Sequence, residues 1–202
     1  MILVCDQAFE DHIYDGIKFV SPAFVPGMWE RTVTVFSISK GLGLSGFRVG
    51  YIVADDHIMD VLYGGAVNVL GATNTLAQQA AIAALQDESI LNHYHDVLER
   101  RRDIAYEVFS SIPGVTAVKP ESGILSWINI SKLGTSKEVA AYILEHAKIS
   151  VNEGSPYGPL CGEGHLRIVH ACFAEEMRAK EAFEKIKEAL ITLAEEKNLH
   201  FN

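Results

Sequence analysis

One lysine stands where a predicted strand meets a glycine-rich segment. Residues 32–36 are β-branched and aromatic, which predicts a buried strand that ends where the serines begin. Lys40 therefore lies at the carboxyl end of a strand, where open α/β sheets place their ligand sites. An amine in such a crevice can lose its proton through desolvation and neighbouring cations, and it then attacks carbonyl compounds.

The residues after this lysine suit an anionic ligand. Arg48 offers a fixed fork of donors to a phosphate or a carboxylate. Glycines in the same segment let the backbone approach a ligand closely or turn sharply; they are Gly41, Gly43, Gly46 and Gly50. A lysine followed by glycines is also found in solvated loops, so the spacing of the whole segment decides the interpretation.

That spacing resembles a known signature. Residues 37–51 read Ser-x-Ser-Lys-x-x-Gly-Leu-x-Gly-x-Arg-x-Gly-Tyr, which resembles the cofactor-lysine segment of the class I/II aminotransferases. These are fold-type-I enzymes that depend on pyridoxal 5′-phosphate (PLP). The resemblance implies that Lys40 carries the cofactor as a Schiff base and later moves the substrate's α-proton. It also implies that Ser37 and Arg48 hold the cofactor phosphate, and that Ser39 joins the cofactor-binding set.

Asp6 is the second candidate for the cofactor site. It closes the apolar run 2–5, which is typical of a parallel strand covered on both faces, and so lies at the same sheet edge as Lys40. A carboxylate there can keep the pyridine nitrogen of PLP protonated, whereas a turn cap is the alternative role. Asp-x-x-aromatic, with Tyr-Asp-Gly at 14–16, resembles the family segment and favours the cofactor role.

Phe9 departs from the family pattern, which has a tyrosine that donates to the ring oxygen of the cofactor. Phenylalanine cannot donate a hydrogen bond. Tyr14 could replace that donor or pack beside the cleft.

Arg167 is the candidate for substrate binding. It lies on the predicted strand 166–169, after a loop rich in glycine and proline. A bidentate arginine would fix the carboxylate of an amino acid and so orient its Cα–H bond, although a surface salt bridge is the alternative. The segment 165–168 resembles the family segment that carries the substrate-carboxylate arginine.

Composition narrows the class of protein. With 49% hydrophobic and 21% charged residues, the 202-residue chain is typical of a globular protein. A net charge of −9 argues against a nucleic acid or an acidic membrane as the main partner. Three cysteines without a CxxC spacing, and two histidines (93 and 95) that point apart on a helix, predict no disulfide framework and no metal site. The cysteines favour the cytoplasm, and the first residues lack the basic region of a signal peptide.

The pattern of elements predicts an α/β chain with two domains. The resemblance implies that residues 1–112 form part of the PLP-binding large domain, with a mixed, mostly parallel sheet and a long connecting helix. Residues 113–202 are expected to form a small α+β domain, since Pro113-Gly114 ends that helix. The expected strands are 2–5, 32–36, 47–53, 115–118, 124–130, 149–152 and 166–169. The expected helices are 55–63, 75–85, 89–111, 136–147 and 175–197, and Gly64-Gly65 is expected to break or bend the chain after the first of them.

The resemblance covers essentially the whole chain but only the latter part of the family's chain. It implies an aminotransferase acting on an amino acid and a 2-oxo acid, as a homodimer or paired with a polypeptide that supplies the N-terminal half. Two alternatives remain open: a PLP-dependent lyase of the same fold, and a non-catalytic remnant that folds and associates without binding PLP. The isolated chain is expected to have little activity.

Overall fold

The computed structural model describes residues 1–158 and 160–201, which divide into two units. Unit 1 comprises Met1–Asp96 with Glu121–Gly123, and unit 2 comprises Val97–Pro120 with Ile124–Asn202. The strands are β1 (Leu3–Asp6), β2 (Thr32–Ser37), β3 (Gly50–Val53), β4 (Thr116–Ala117), β5 (Leu125–Asn129), β6 (Asn152–Glu153) and β7 (His165–Val169). The helices are α1 (Ile38–Gly41), α2 (Asp56–Val69), α3 (Thr75–Leu85), α4 (Glu88–Ser110), α5 (Ser136–Ala147) and α6 (Glu176–Glu196).

Unit 1 contains a three-stranded mixed sheet in the order β1-β2-β3. β1 pairs parallel to β2, and β2 pairs antiparallel to β3. The first three residues of β2 are buried, in line with its β-branched sequence, whereas all four residues of β3 are exposed. A small apolar cluster links α1 to α3 through Ile38, Leu42, Ala81 and Ala84.

The helix after β3 is longer than the sequence predicts. Asp55 caps it as expected, because its side chain accepts a hydrogen bond from His57 N, but the helix continues through Gly64-Gly65 to Val69. The predicted end near residue 63 is therefore wrong, and the two glycines do not break the helix. A glycine inside a helix costs only about 1 kcal/mol relative to alanine, and one interior pair does not outweigh the hydrogen bonds on either side.

Unit 2 contains a four-stranded antiparallel sheet in the order β4-β5-β7-β6. Alternate residues of β5 and β7 point into an apolar core that α4, α5 and α6 complete. The aromatic centre of this core is Phe109 against Phe183, with ring centroids 5.4 Å apart. The helices thus cover one face of the sheet. The other face carries half-buried side chains, several of them polar or aromatic.

The units divide within α4, at Asp96–Val97, whereas the sequence predicts a boundary after that helix, at 112. The second half of α4 belongs to unit 2 because Ala105, Val108 and Phe109 enter the core of that unit.

Two arginines of α4 are buried. Arg102 is fully buried, where it pairs with Glu99 and Asp103 and donates to the Pro120 carbonyl. Arg101 donates to the carbonyls of Phe173 and Ala174 in the loop after β7. Each charge is therefore compensated by carboxylates or carbonyls, as buried charges require.

Among the described residues, no helix combines the length and the apolar character that crossing a bilayer requires. The three cysteines are free thiols.

The start of α5 gives a test of the fold of unit 2. The Thr135 side chain accepts a hydrogen bond from Glu138 N, and the Glu138 carboxylate accepts one from Thr135 N. Thr135→Ala should lower the free energy of unfolding by about 1 kcal/mol, since it removes the cap. Urea unfolding followed by circular dichroism measures this. Thr135→Ser keeps the hydroxyl and should behave as wild type; equal stabilities of the two variants would contradict the assigned cap.

Candidate functional site

Parallel pairing brings two of the candidate groups to one sheet edge. Asp6, the last residue of β1, pairs with Val35, and Ser37 ends β2 two residues further on. Both side chains therefore lie at the carboxyl ends of neighbouring parallel strands. One oxygen of Asp6 accepts a hydrogen bond from Ala8 N at 3.0 Å, so the aspartate also closes the turn after β1.

Lys40 lies in α1, a four-residue helix that follows β2 directly. Ser37 begins this helix, because its side-chain oxygen accepts from Ser39 N at 3.2 Å. The turn carries Lys40 to the same edge of the sheet as Asp6. Lys40 is exposed and Ser39 is half-buried, so the described residues leave the amine in contact with solvent.

Arg48 reaches this edge through β3. Gly50 pairs with Ser37, so Arg48 lies two residues before the strand position next to that serine. Arg48 has a left-handed backbone (φ 56°) and donates to the Ser45 carbonyl at 2.7 Å. A Cβ at Gly50 would lie 2.6 Å from the Phe36 carbonyl oxygen, so only glycine lets β3 pair this closely with β2.

The segment after Asp6 packs against the lysine turn. A Cβ at Gly41 would overlap the Asp11 carboxylate, so a side chain there would require Asp11 to move. Burial raises the pKa of Glu10 from its ordinary 4.5 to about 7, and the neighbouring Asp11 carboxylate adds to the rise. Burial also raises the pKa of Asp11 and of Tyr51. The charges of Glu10 and Asp11 add to the rise in the pKa of Tyr51, and the Tyr51 ring stacks on Phe36 of β2. The two carboxylates therefore lie beside the sheet.

Two buried polar side chains in this segment were not identified from the sequence. Gln7 donates to Ser21 Oγ at 2.6 Å, and the His12 ring nitrogen Nε2 lies 3.0 Å from the Lys40 carbonyl oxygen. Gln7 Oε1 and His12 Nδ1 have no hydrogen-bond partner among the described residues. The only sequence signal for them is position, six residues or fewer beyond a strand end that carries a candidate site residue.

Tyr14 does not fit the alternative role that the sequence left open for it. Its ring is fully buried, and its hydroxyl donates to the Gly123 carbonyl oxygen at 2.5 Å. Phe9 is half-buried close to the same glycine. The phenolic proton that could replace the family's tyrosine is therefore already used within unit 1.

Arg167 lies on the sheet face of unit 2 that does not enter the core. It pairs across strands with Trp127 and Asn152, donates to Asn152 Oδ1 at 3.3 Å, and lies over the Tyr157 ring at 5.0 Å. No carboxylate among residues 1–158 and 160–201 forms an ion pair with it, and its Nε has no partner among them. The alternative of a surface salt bridge thus has no partner in the described chain.

A metal centre has no support in the part of the chain that the structure describes, since no group of three histidine, cysteine, aspartate or glutamate side chains is placed to hold an ion.

The arrangement of lysine, aspartate, serine and arginine at the edge of an α/β sheet is that of a cofactor-binding fold, and comparison with known proteins defines the family. Residues 1–186 match the family model for aminotransferase class I and II. The chain belongs to this family.

The chain aligns with about half the length of each relative described here. The chain is 31% identical to an aspartate aminotransferase from Pyrococcus abyssi over 94% of this chain and 49% of that protein. The aromatic aminotransferase structure from Pyrococcus horikoshii OT3 superimposes with a TM-score of 0.87 at 29% identity, covering 99% of this chain and 52% of the other. A PLP-bound structure from Clostridium difficile 630 superimposes with a TM-score of 0.85 at 25% identity, covering 94% and 50%. The chain thus spans about half the length of the relatives it matches.

The raised pKa of Glu10 predicts how the stability of the chain depends on pH. Ionisation of Glu10 is less favourable in the folded chain, so the folded state binds more protons than the unfolded state between pH 4.5 and about 7. Wild type should lose stability as pH rises through this window. Glutamine at position 10 cannot ionise. The free energy of unfolding of Glu10→Gln, relative to that of wild type, should therefore increase as pH rises through the same window. Urea unfolding at several pH values measures the difference.

Glu107→Gln, which removes an exposed carboxylate from α4, is the control for loss of one negative charge. A constant difference in stability between wild type and Glu10→Gln from pH 4.5 to pH 8 would contradict the assignment.

Proposed function

We propose that this chain is the cofactor-lysine part of a PLP-dependent aminotransferase, which moves an amino group between an amino acid and a 2-oxo acid. The observation that carries the proposal is the position of Lys40, in a one-turn helix directly after β2, at the sheet edge where β1 ends in Asp6. Family membership supports it.

The chemistry of the side chains present fits PLP. The cofactor carries an aldehyde, a dianionic phosphate and a basic ring nitrogen, and the sheet edge offers an amine, a cation with a hydroxyl, and a carboxylate. These groups are Lys40, Arg48 with Ser37, and Asp6, with Ser39 beside them. Gly50 has no room for a side chain because the Phe36 carbonyl lies against it, so the backbone here is held close to its neighbour.

Bound PLP supplies an aldehyde that condenses with amines and a ring that accepts the electrons released when a Cα bond breaks. The chain's own residues have separate parts in this chemistry. The Asp6 carboxylate would hold a proton at the ring nitrogen, and Arg48 and Ser37 would bind the phosphate. The Lys40 Nζ would hold the cofactor through its aldehyde carbon, with loss of water, and would later carry the proton released from the substrate Cα.

Arg167 takes the substrate carboxylate in this proposal. Its guanidinium is fixed by Asn152 and by the Tyr157 ring, and no carboxylate of the described chain occupies it. A bidentate bond to the substrate carboxylate would fix the direction of the Cα–H bond.

The same proposal includes a partner for this chain in the active form. The partner is either a second copy, which gives a homodimer, or a polypeptide that supplies the N-terminal half. Supporting it, the chain spans 49% of the Pyrococcus abyssi relative. Among the described residues β1 pairs with β2 alone, and its Val4 is 66% exposed. An open edge of this kind favours pairing with a further strand. The free cysteines support a cytoplasmic location within the proposal.

Lys40 provides the direct test. Incubation with PLP, reduction with borohydride and peptide mapping should place the label on Lys40. Lys40→Ala should lose that label, because no other amine lies in the turn after β2. Lys18→Ala, which removes another exposed lysine of unit 1, should keep it. A label confined to other lysines, or none on Lys40, would refute the cofactor role.

Arg167 is tested in the active assembly with the polypeptide that supplies the N-terminal half. Arg167→Ala should raise KM for amino acids about tenfold or more, since the carboxylate loses a charge-assisted bond worth roughly 1.5–3 kcal/mol. Arg167→Lys should recover only part, because a lysine lacks the fork. Arg178→Ala, which removes an exposed arginine of α6, is the control. An unchanged KM in Arg167→Ala would make Arg167 a structural residue.

A further inference from the structure

A buried histidine contacts the main chain of the lysine. His12 has no exposed surface, and its Nε2 lies 3.0 Å from the carbonyl oxygen of Lys40. A carbonyl oxygen only accepts hydrogen bonds, so the Nε2 of His12 carries the proton and donates it. This bond joins residues that are 28 positions apart in the chain.

The other donors to the Lys40 carbonyl come from the turn itself. α1 has only four residues, and a single helical turn fixes few of its own carbonyls. The amide of Leu42 donates to the same oxygen, and the amide of Gly43 does so at 3.4 Å, which is a long hydrogen bond. His12 Nε2, at 3.0 Å, therefore adds a donor from outside the turn to this carbonyl.

His12 is itself fixed. Its backbone N–H donates to the Phe9 carbonyl at 3.0 Å, and its own carbonyl accepts from Gly123 N at 2.9 Å. Full burial leaves its ring little rotational freedom, since interiors are close-packed. The ring can thus act as a rigid link between the segment that follows β1 and the turn that follows β2.

Packing next to the hydrogen bond from His12 also joins the segment after β1 to the turn after β2. The Asp11 carboxylate occupies the space where a side chain at Gly41 would lie. The peptide between Lys40 and Gly41 is therefore held by a hydrogen bond from His12 and by contact with Asp11. Because His12 follows β1 by only six residues, the link also ties the lysine turn to the strand that ends in Asp6.

We propose that His12 is a positioning residue for Lys40: its Nε2–H holds the Lys40 carbonyl and so fixes the place from which the Lys40 amine acts. The chemistry of that amine rests on the function proposed above, whereas the hydrogen bond is a property of this chain alone.

Hydrogen exchange tests the bond without any cofactor. His12→Gln keeps a donor at the position of Nε2, because a glutamine amide reaches about as far as that ring nitrogen. His12→Asn carries the same amide one methylene short, and His12→Leu carries no donor. Exchange of the amides in 38–44, measured by mass spectrometry with 32–37 as the internal reference, should be about tenfold faster in His12→Leu and His12→Asn, and close to wild type in His12→Gln. Equal protection of 38–44 in all four proteins would overturn the proposal.

Labelling by PLP and borohydride gives the second measurement. The yield of label on Lys40, relative to that on Lys18, should fall about tenfold in His12→Leu and His12→Asn and recover in His12→Gln. Val33→Ala, which removes buried volume from β2 outside the site, should lower stability and leave the ratio unchanged. An unchanged ratio in His12→Leu would overturn the positioning role.

The two proposals fail in different ways. A wild-type chain without label on Lys40 refutes the proposed function, and hydrogen exchange then decides the role of His12. Loss of the fold in His12→Gln as well as in His12→Leu, seen by circular dichroism, would assign His12 to the stability of unit 1 and overturn the proposal.

Discussion

The parallel pairing of β1 with β2 is the constraint on which the candidate cofactor site depends. The register that sets Asp6 beside Val35 brings a carboxylate and a serine hydroxyl to the same edge of the sheet. The short helix that Ser37 begins then turns Lys40 to that edge, and β3 returns with Gly50 beside Ser37. A shift of one residue in this register would move every side chain to the opposite face.

Glycines allow these segments to approach so closely. At Gly50 the obstacle to a side chain is the backbone carbonyl of Phe36, which cannot move without breaking the ladder. At Gly41 the obstacle is the Asp11 carboxylate, which belongs to the segment that also carries His12. The glycines after the lysine therefore allow close packing as well as turns. Which of the two a given glycine allows depends on the atoms that lie opposite it.

Unit 2 positions its candidate residue by a different means. The antiparallel sheet buries Leu166 and Ile168 in the core, so strand alternation forces Arg167 onto the other face. Asn152 and Tyr157 then hold the guanidinium, while Arg101 fixes the loop that follows the strand through the Phe173 and Ala174 carbonyls. Burying Arg101 for this purpose is tolerated because those carbonyls satisfy it.

The sequence by itself determined the local elements and the residue types of the site. Helix α3 and helix α5 have the predicted bounds, Thr75–Leu85 and Ser136–Ala147, because alanine-rich periodicity and a capping threonine are local signals. The spacing of Ser37, Lys40 and Arg48 also identified the family, since a motif of that length constrains many positions at once.

Tertiary structure decided what depends on distant neighbours. The burial of Arg101 and Arg102 and the hydrogen bond from the Tyr14 hydroxyl to Gly123 follow from contacts that no local pattern encodes. The bond from His12 to Lys40 is of the same kind. A histidine is polar enough for the surface and apolar enough for the core, so its role is set only when folding brings a carbonyl 28 residues away within reach of its ring.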